Sequence, residues 1–167
     1  YETDNRVIRY GEALAARGDE VEVLASRRSP EVPREEVLNG VRVVRIRDRF
    51  DKSSSSRIGH LLPVLAFIRA AQAWLRHSHA RRPYDLLHIH NMPDFVVFAG
   101  WYPKWKGAKV ILDIHDIVPE LYASKFGGRP RGPMHAALLW MERLSARFAD
   151  HVIIANHLWL DRYAART

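Results

Sequence analysis

The stretch 109–120, KVILDIHDIVPE, combines the pattern of a buried strand with residue types that do chemistry. Its apolar start is rich in β-branched residues and predicts a strand, and Asp113, His115 and Asp116 follow at its end. In an open α/β sheet, ligands bind beyond the carboxyl ends of parallel strands. We therefore expect this strand to deliver carboxylates and an imidazole to a functional crevice. Asp113 shares a face with His115 but lies deeper in the strand, so we expect Asp113 to be structural.

A second polar strand end has the sequence HIHN, in which one residue separates His88 from His90. Side chains alternate along a strand, so these two imidazoles share one face. Together with Asp113, His115 and Asp116 from a neighbouring strand end, they form a possible metal-ligand set, and a metal-dependent hydrolase is one hypothesis. Alternate residues of any strand share a face, however, and one histidine of such a pair is often a core residue. We therefore favour a site without a metal.

The rest of the chain predicts the elements that position these strand ends. Helices are predicted over 4–17, 59–80, 95–102, 120–126, 134–149 and 158–165, and strands over 20–25, 41–46, 84–90, 109–112 and 151–155. Asp4 and Gly18 are the expected caps of the first helix. Asn39-Gly40 is expected to form a tight turn into the strand over 41–46, after a loop that contains Pro30 and Pro33. Loops are also predicted over the serine-rich stretch 51–57 and the basic stretch 127–133. Strands that alternate with helices predict an α/β fold, a Rossmann-like doubly wound parallel sheet in a single domain. Because the chain begins with a helix, we expect the first strand of that sheet to be missing.

Composition and charge limit the classes of function that this chain can have. The chain has 167 residues, of which 47% are hydrophobic and 27% charged, as expected of one globular domain. It has no cysteine, which excludes disulfides and thiolate metal sites. The formal net charge of +7 suits an anionic partner. The sequence contains no nucleic-acid-binding motif, so we expect no nucleic-acid partner. It also contains no nucleophile elbow, no GxGxxG turn and no Walker loop.

Five segments carry a resemblance to a known family when they are taken together. They are Asp4-x-Arg6-Val7 with Leu14-Ala15-x-Arg17-Gly18-x-Glu20-Val21-x-Val23, Asn39-Gly40-Val41-x-Val43, Tyr84-Asp85-x-x-His88-x-His90-Asn91, Lys109-Val110-x-Leu112-Asp113-x-His115-Asp116-x-x-Pro119-Glu120 and Phe148-Ala149-Asp150-His151-Val152-Ile153. In this order and spacing, they resemble the N-terminal domain of family 4 retaining glycosyltransferases, which have the two-domain GT-B fold.

The resemblance implies transfer of a sugar from a nucleotide-sugar donor to a glycan or lipid-linked acceptor, with retention of the anomeric configuration. It implies that His115 is catalytic and faces the donor sugar and its diphosphate. His90 and Asn91 would line the acceptor side, with Asp116 and Glu120 orienting them or binding acceptor hydroxyls. The family pattern needs no cofactor and no metal, because the nucleotide-sugar is a substrate.

The resemblance also sets expectations for organisation and location. Residues 1–155 would form the N-terminal glycosyltransferase domain, and 156–167 a final helix leading to an absent donor-binding domain, so we expect the fragment alone to be inactive. We expect a cytoplasmic protein, peripheral at the inner face of the membrane, where Trp101, Trp105 and the basic end of the helix over 59–80 would meet anionic lipid. The alternative is a non-catalytic sugar- or partner-binding module of the same fold.

Overall fold

The structure, a computed structural model, describes residues 4–49, 57–91, 93–126 and 132–167, and the side chains within these ranges except those of 57–60 and 123–126. The chain forms two compact units, Tyr1–Trp74 and Leu75–Thr167. Each unit contains its own three-stranded sheet. All of the predicted site residues belong to the second unit.

The first unit contains helix α1, Asn5–Arg17, whose two ends are fixed by local hydrogen bonds. At its start, the Asp4 carboxylate accepts hydrogen bonds from the backbone amides of Arg6 and Val7. These amides have no partner inside the helix, so the cap satisfies them. At its end, Gly18 has a φ of 99°, a left-handed conformation that glycine adopts at little cost. Both predicted caps are confirmed.

Three strands form the sheet of the first unit, in the order β1-β3-β2. They are β1, Val21–Arg27, β2, Glu35–Leu38, and β3, Val41–Asp48. β3 is parallel to β1 and antiparallel to β2. A tight turn connects β2 to β3, and in that turn Asn39 and Gly40 have φ values of 49° and 83°. The turn was predicted, but β2 was assigned to a loop. This short edge strand alternates exposed and half-buried side chains and lacks the apolar run of a central strand.

Helix α2, Arg57–Arg81, agrees with the helix predicted over 59–80. Among the described residues, no helix is both long enough and apolar enough to cross a membrane. The predicted loop over 51–57 lies outside the described residues except for Arg57, which is already helical. The predicted basic loop over 127–133 also lies outside them, apart from its last two residues.

The sheet of the second unit is fully parallel, in the order β4-β5-β6. Its strands are β4, Leu86–His90, β5, Lys109–Ile114, and β6, His151–Ile154. The central strand β5 is deeply buried, with Val110, Leu112 and Ile114 excluded from solvent. A parallel strand between two other strands is covered on both faces and therefore consists of an apolar run. That run is the reason why this strand could be predicted from the sequence.

Helices connect the parallel strands at positions close to those predicted. Between β4 and β5 lie a 3₁₀ helix, Asp94–Gly100, and α3, Trp101–Trp105. Between β5 and β6 lie α4, Val118–Phe126, and α5, Pro133–Phe148. After β6 come a 3₁₀ turn, His157–Trp159, and α6, Leu160–Ala164. This alternation confirms the predicted α/β class. The predicted domain limits, 1–155 and 156–167, and the predicted missing first strand stay predictions.

Candidate functional site

The ends of β4 and β5 bring the predicted histidines to one edge of the parallel sheet. His90, the last residue of β4, pairs in register with Asp113 of β5, and His88 pairs with Ile111. Residues in register on parallel strands point to the same face, as do residues two apart on one strand. The strand pairing therefore places His88, His90 and Asp113 on one face, and His115 follows directly after the strand end.

Three imidazoles converge on one carboxylate oxygen. Asp113 Oδ2 lies 3.5 Å from His88 Nε2, 3.3 Å from His90 Nδ1 and 3.6 Å from His115 Nε2. His90 Nδ1 and His115 Nε2 are 3.1 Å apart, which is hydrogen-bond distance and requires a proton on one of the two nitrogens. The rings of His88 and His90 stack with their centroids 4.5 Å apart. We call His88, His90, Asp113 and His115 the histidine–aspartate cluster.

Asp113 is the buried centre of this cluster. It has no solvent exposure, and within the part of the chain that the structure describes neither of its carboxylate oxygens accepts a hydrogen bond. A buried carboxylate in this condition is costly unless a positive charge lies close by. Burial lowers the pKa of His88, although attraction to Asp113 acts in the opposite direction. The sequence treated Asp113 as structural and gave the functional role to His115.

Asn91, the residue after β4, is buried, and its side chain links the ends of β4 and β5. Its side-chain oxygen accepts a hydrogen bond from the backbone amide of His115, at 2.8 Å. Its amide nitrogen donates to Asp94 Oδ1 and to the backbone oxygen of Asp116, at 2.6 and 3.0 Å. These hydrogen bonds fix the position of the His115 backbone. The predicted contact between Asn91 and substrate stays a prediction.

The structure places Asp116 and Glu120 differently with respect to this cluster. Asp116 follows His115 and is exposed, so its carboxylate is open to solvent at the strand end. Glu120 lies on α4, and its two carboxylate oxygens accept hydrogen bonds from the Arg166 guanidinium at 2.7 and 3.0 Å. The structure thus brings His90, Asn91 and His115 together and engages Glu120 elsewhere. The predicted acceptor contacts of Asp116 and Glu120 stay predictions.

Arg166 bridges two carboxylates whose pKa values shift in opposite directions. Besides Glu120, it binds the fully buried Glu142 of α5 through two hydrogen bonds of 2.5 and 2.8 Å. Burial raises the pKa of Glu142 even though Arg166 pulls it down. For Glu120, burial also opposes ionisation, but the hydrogen bonds and charge of Arg166 outweigh it and hold the pKa below its usual value. The difference follows from burial, which is complete for Glu142 and partial for Glu120.

Sequence reasoning missed Glu142, Arg166 and Asp94. Burial raises the pKa of Asp94 against the hydrogen bond from Asn91. No local signal identifies Glu142, because on the sequence it is one acidic residue in an amphipathic helix. Its partner Arg166 is 24 residues away, and only the packing of the helices brings the two together. Asp113, in contrast, was named from the sequence as a possible metal ligand beside His88 and His90.

The comparisons with known proteins agree with the resemblance in the sequence. The family model of the glycosyl transferase 4-like domain matches residues 4–167. A search of curated proteins gives no match. Among solved structures, a sucrose-phosphate synthase from Thermosynechococcus elongatus is 24% identical, with a TM-score of 0.66 over 94% of this chain and 38% of that chain. A second sucrose-phosphate synthase structure from the same organism is 21% identical, with a TM-score of 0.63 over 94% of this chain and 76% of that chain.

The structural matches show a common fold, the GT-B glycosyltransferase fold, over most of this chain. The chain spans about two fifths of the longer sucrose-phosphate synthase chain. The family model covers nearly the whole sequence from Asp4 onward, and it includes every residue of the histidine–aspartate cluster. The chain belongs to the glycosyl transferase 4-like domain family.

Proposed function

We propose that this chain is the acceptor-side domain of a glycosyltransferase that moves a sugar from a nucleotide-sugar to a glycan or lipid-linked acceptor. The observation that carries the proposal is the contact between His90 Nδ1 and His115 Nε2, made at the carboxyl ends of two adjacent parallel strands. That edge of the sheet is where ligands bind in open α/β folds. Membership of the glycosyl transferase 4-like family supplies the reaction class.

His115 is the proposed catalytic residue because transfer releases a nucleoside diphosphate. The departing oxygens gain negative charge, and preorganised donors or positive charges near them lower the barrier. Since His115 Nε2 faces His90, its Nδ1 is the ring nitrogen left to meet the donor. Asp113 Oδ2 lies 3.6 Å from His115 Nε2, and Asn91 fixes the backbone of His115. The protein thus holds a donor group in place before the sugar arrives.

We propose that the acceptor lies on the His90 side of the cluster. His90 is part-exposed at the end of β4, and the exposed Asp116 stands at the end of the neighbouring strand. A carboxylate and an imidazole can each accept a hydrogen bond from a sugar hydroxyl. The proposed role of Glu120 is indirect, because Arg166 occupies both of its oxygens and Glu120 thereby fixes α4.

Retention of configuration and dependence on a second domain are further parts of the proposal. They rest on the resemblance to retaining GT-B enzymes, in which a C-terminal domain grips the nucleotide. The 167 residues alone would then bind acceptor and transfer no sugar. The alternative function is that of a non-catalytic module with the same fold, which binds a sugar or a protein partner.

The test is a transfer assay on the complete protein that carries this domain. A panel of nucleotide-sugars of defined anomeric configuration is offered with glycan and lipid-phosphate acceptors, and NMR identifies the anomer of the first product. Transfer with the donor configuration preserved supports the proposal. Transfer with inversion contradicts the retaining mechanism. Binding of acceptor without transfer from any donor favours the non-catalytic module.

We also propose that the second unit contacts anionic membrane through the aromatic residues around α3. Trp105 is 71% exposed and Trp101 is 44% exposed, so neither ring is a core residue. Cations accompany the rings: Lys106 Nζ lies 4.4 Å from the Trp105 ring centre, and the guanidinium of Arg76 lies 5.6 Å from that of Tyr102. Exposed tryptophan beside lysine and arginine is typical of surfaces that lie in the headgroup region.

Vesicle sedimentation tests this contact. The protein should bind vesicles containing phosphatidylserine and not neutral phosphatidylcholine vesicles, and salt should weaken the binding by screening the charges. Trp105→Ala should weaken binding, whereas Trp140→Ala, which removes a 61% exposed ring from α5, should not. Equal binding of both variants, or binding to neutral vesicles alone, would contradict the proposal.

A further inference from the structure

We propose that His88 Nε2, His90 Nδ1 and Asp113 Oδ2 form a binding site for a divalent transition metal, with Zn²⁺ as the best-fitting ion. These three atoms all lie within 4.8 Å of one another. The proposed transfer reaction does not require this metal, although the site shares His90 and Asp113 with the residues proposed to act in transfer. A metal here would depart from the family pattern, which needs none. It would join the carboxyl ends of β4 and β5.

The distances from Asp113 Oδ2 to the two imidazole nitrogens match the edges of a zinc coordination tetrahedron. Zinc binds histidine nitrogen and carboxylate oxygen at about 2.0–2.2 Å, so neighbouring ligand atoms in a tetrahedral site are about 3.3–3.5 Å apart. Asp113 Oδ2 lies 3.3 Å from His90 Nδ1 and 3.5 Å from His88 Nε2. Each of these distances is long for a hydrogen bond and right for two atoms that share one cation.

The buried carboxylate of Asp113 is the second observation that points to a cation. This side chain is fully excluded from solvent, and among the described residues neither of its oxygens accepts a hydrogen bond. A carboxylate in that position needs a positive charge. Over the described ranges, its ion-pair partners are three imidazole nitrogens and include no lysine or arginine. A divalent ion between these atoms would supply the missing charge at short range.

The strand pairing explains why the ligands are preorganised. His88 and His90 project from the same face of β4, and their rings stack at 4.5 Å. Asp113 is the register partner of His90 on β5, so backbone hydrogen bonds fix all three Cα positions. Two imidazoles and one carboxylate are ligands that zinc accepts in protein sites, with water at the remaining position.

A shared proton is the alternative way to neutralise Asp113. One imidazolium among the three histidines would supply a single positive charge without any metal. The two arrangements differ at His115, because a metal on His90 Nδ1 would end the 3.1 Å contact between that nitrogen and His115 Nε2. Metal binding should therefore change the environment of the His115 ring, which NMR of labelled histidine can detect.

The experiment measures metal binding directly and without any transfer assay. Metal-free protein, prepared by dialysis against chelator, is titrated with Zn²⁺ by calorimetry and with Co²⁺ by visible absorption, whose intensity distinguishes four-coordinate from six-coordinate sites. We expect about one equivalent per chain, the stoichiometry of a mononuclear site, and the intense absorption of four-coordinate cobalt. Zinc should also raise the denaturation midpoint of the protein.

Matched variants assign the ligands. His88→Gln and Asp113→Asn keep the side-chain size and should weaken zinc binding by about tenfold or more, since even residues that only support a ligand cost 10- to 100-fold. His77→Gln removes an exposed histidine from α2 and should leave the affinity unchanged. Circular dichroism of each metal-free variant shows that it is folded.

Three results would overturn the proposal: no zinc binding by folded wild-type protein, cobalt in a six-coordinate site only, or equal losses in His77→Gln and His88→Gln. Asp113→Asn folding with unchanged zinc affinity would remove Asp113 from the ligand set and overturn it as well. None of these results bears on sugar transfer, which is assayed in the presence of chelator. A failed metal site and a failed transfer function are therefore distinguishable.

Discussion

Arg166→Ala tests how the second unit is held together around the candidate site. Arg166 makes four hydrogen bonds, two to Glu120 and two to Glu142. Its removal leaves the fully buried Glu142 carboxylate without its cation. The same substitution removes both hydrogen bonds that Arg166 donates to Glu120 of α4, which keeps its 3.5 Å ion pair with Arg162. We therefore expect the loss to destabilise the packing of α4 and α5.

The structure sets the magnitude of this loss. Removing one partner of a buried ion pair costs about 3–5 kcal/mol, mostly because the remaining charge is left uncompensated. We expect the lower end, about 3 kcal/mol, because Arg166 keeps some solvent exposure and Glu142 can take up a proton. Arg162→Ala is the matched control: Arg162 also pairs with Glu120, at 3.5 Å, but it is 59% exposed. Its loss should cost about 0–1 kcal/mol, as for exposed pairs.

The cost of Arg166→Ala should increase with pH. Burial already raises the pKa of Glu142, and without Arg166 it should rise further; Glu120 should also lose the effect that holds its pKa down. A group with a raised folded-state pKa stabilises the fold below its unfolded pKa and loses that contribution as pH rises through the folded value. The gap in unfolding free energy between wild type and variant should therefore widen from about pH 5 to pH 8.

Urea denaturation monitored by circular dichroism at several pH values measures this gap. Glu142→Gln combined with Arg166→Ala should be more stable at high pH than Arg166→Ala alone, because the buried negative charge is gone. The reasoning is refuted if Arg166→Ala costs no more than Arg162→Ala, or if its cost decreases as pH rises.

Three further substitutions and one control test the fold, each by its change in unfolding free energy. Leu112→Ala should cost about 2–5 kcal/mol, because Leu112 is fully buried in the central strand, whereas Leu86→Ala at a 45% exposed position should change stability by less than about 0.5 kcal/mol. Gly100→Ala should cost about 1–3 kcal/mol, since the new Cβ would lie 2.7 Å from Cδ1 of Leu87. Asp4→Ala should cost about 1 kcal/mol through loss of two cap hydrogen bonds. A Leu112→Ala cost equal to that of Leu86→Ala, or a neutral Gly100→Ala, would contradict the described packing.

The features that were predicted from sequence depend on local physics. The caps at Asp4 and Gly18 follow from orphan backbone groups at helix ends, and both are present. The apolar run of β5 identified a central strand, because a strand between two parallel neighbours has little polar surface. The proximity of His90 and His115 could be predicted with one additional rule, namely that the carboxyl ends of parallel strands meet at one edge of the sheet.

The features that were not predicted depend on which distant segments pack together. β2 is recognisable only as the partner of β3, since its own sequence is short and acidic. The bond between Arg166 and Glu120 joins residues 46 apart, and no periodicity indicates it. Asp113 was expected to be structural because it lies deeper in the strand than His115, and that expectation stays a prediction. The approach of three imidazole nitrogens to one oxygen of its carboxylate depends on how two strand ends pack.

The central claim is that His115 acts in sugar transfer from a nucleotide-sugar. The most direct measurement compares kcat for transfer by the complete protein with His115→Ala and with His77→Ala, an exposed control on α2. We expect kcat of His115→Ala to fall about 100- to 1,000-fold, the effect of removing one preorganised donor from a developing negative charge, and that of His77→Ala to stay at the wild-type value. Undiminished transfer by folded His115→Ala protein would contradict the claim.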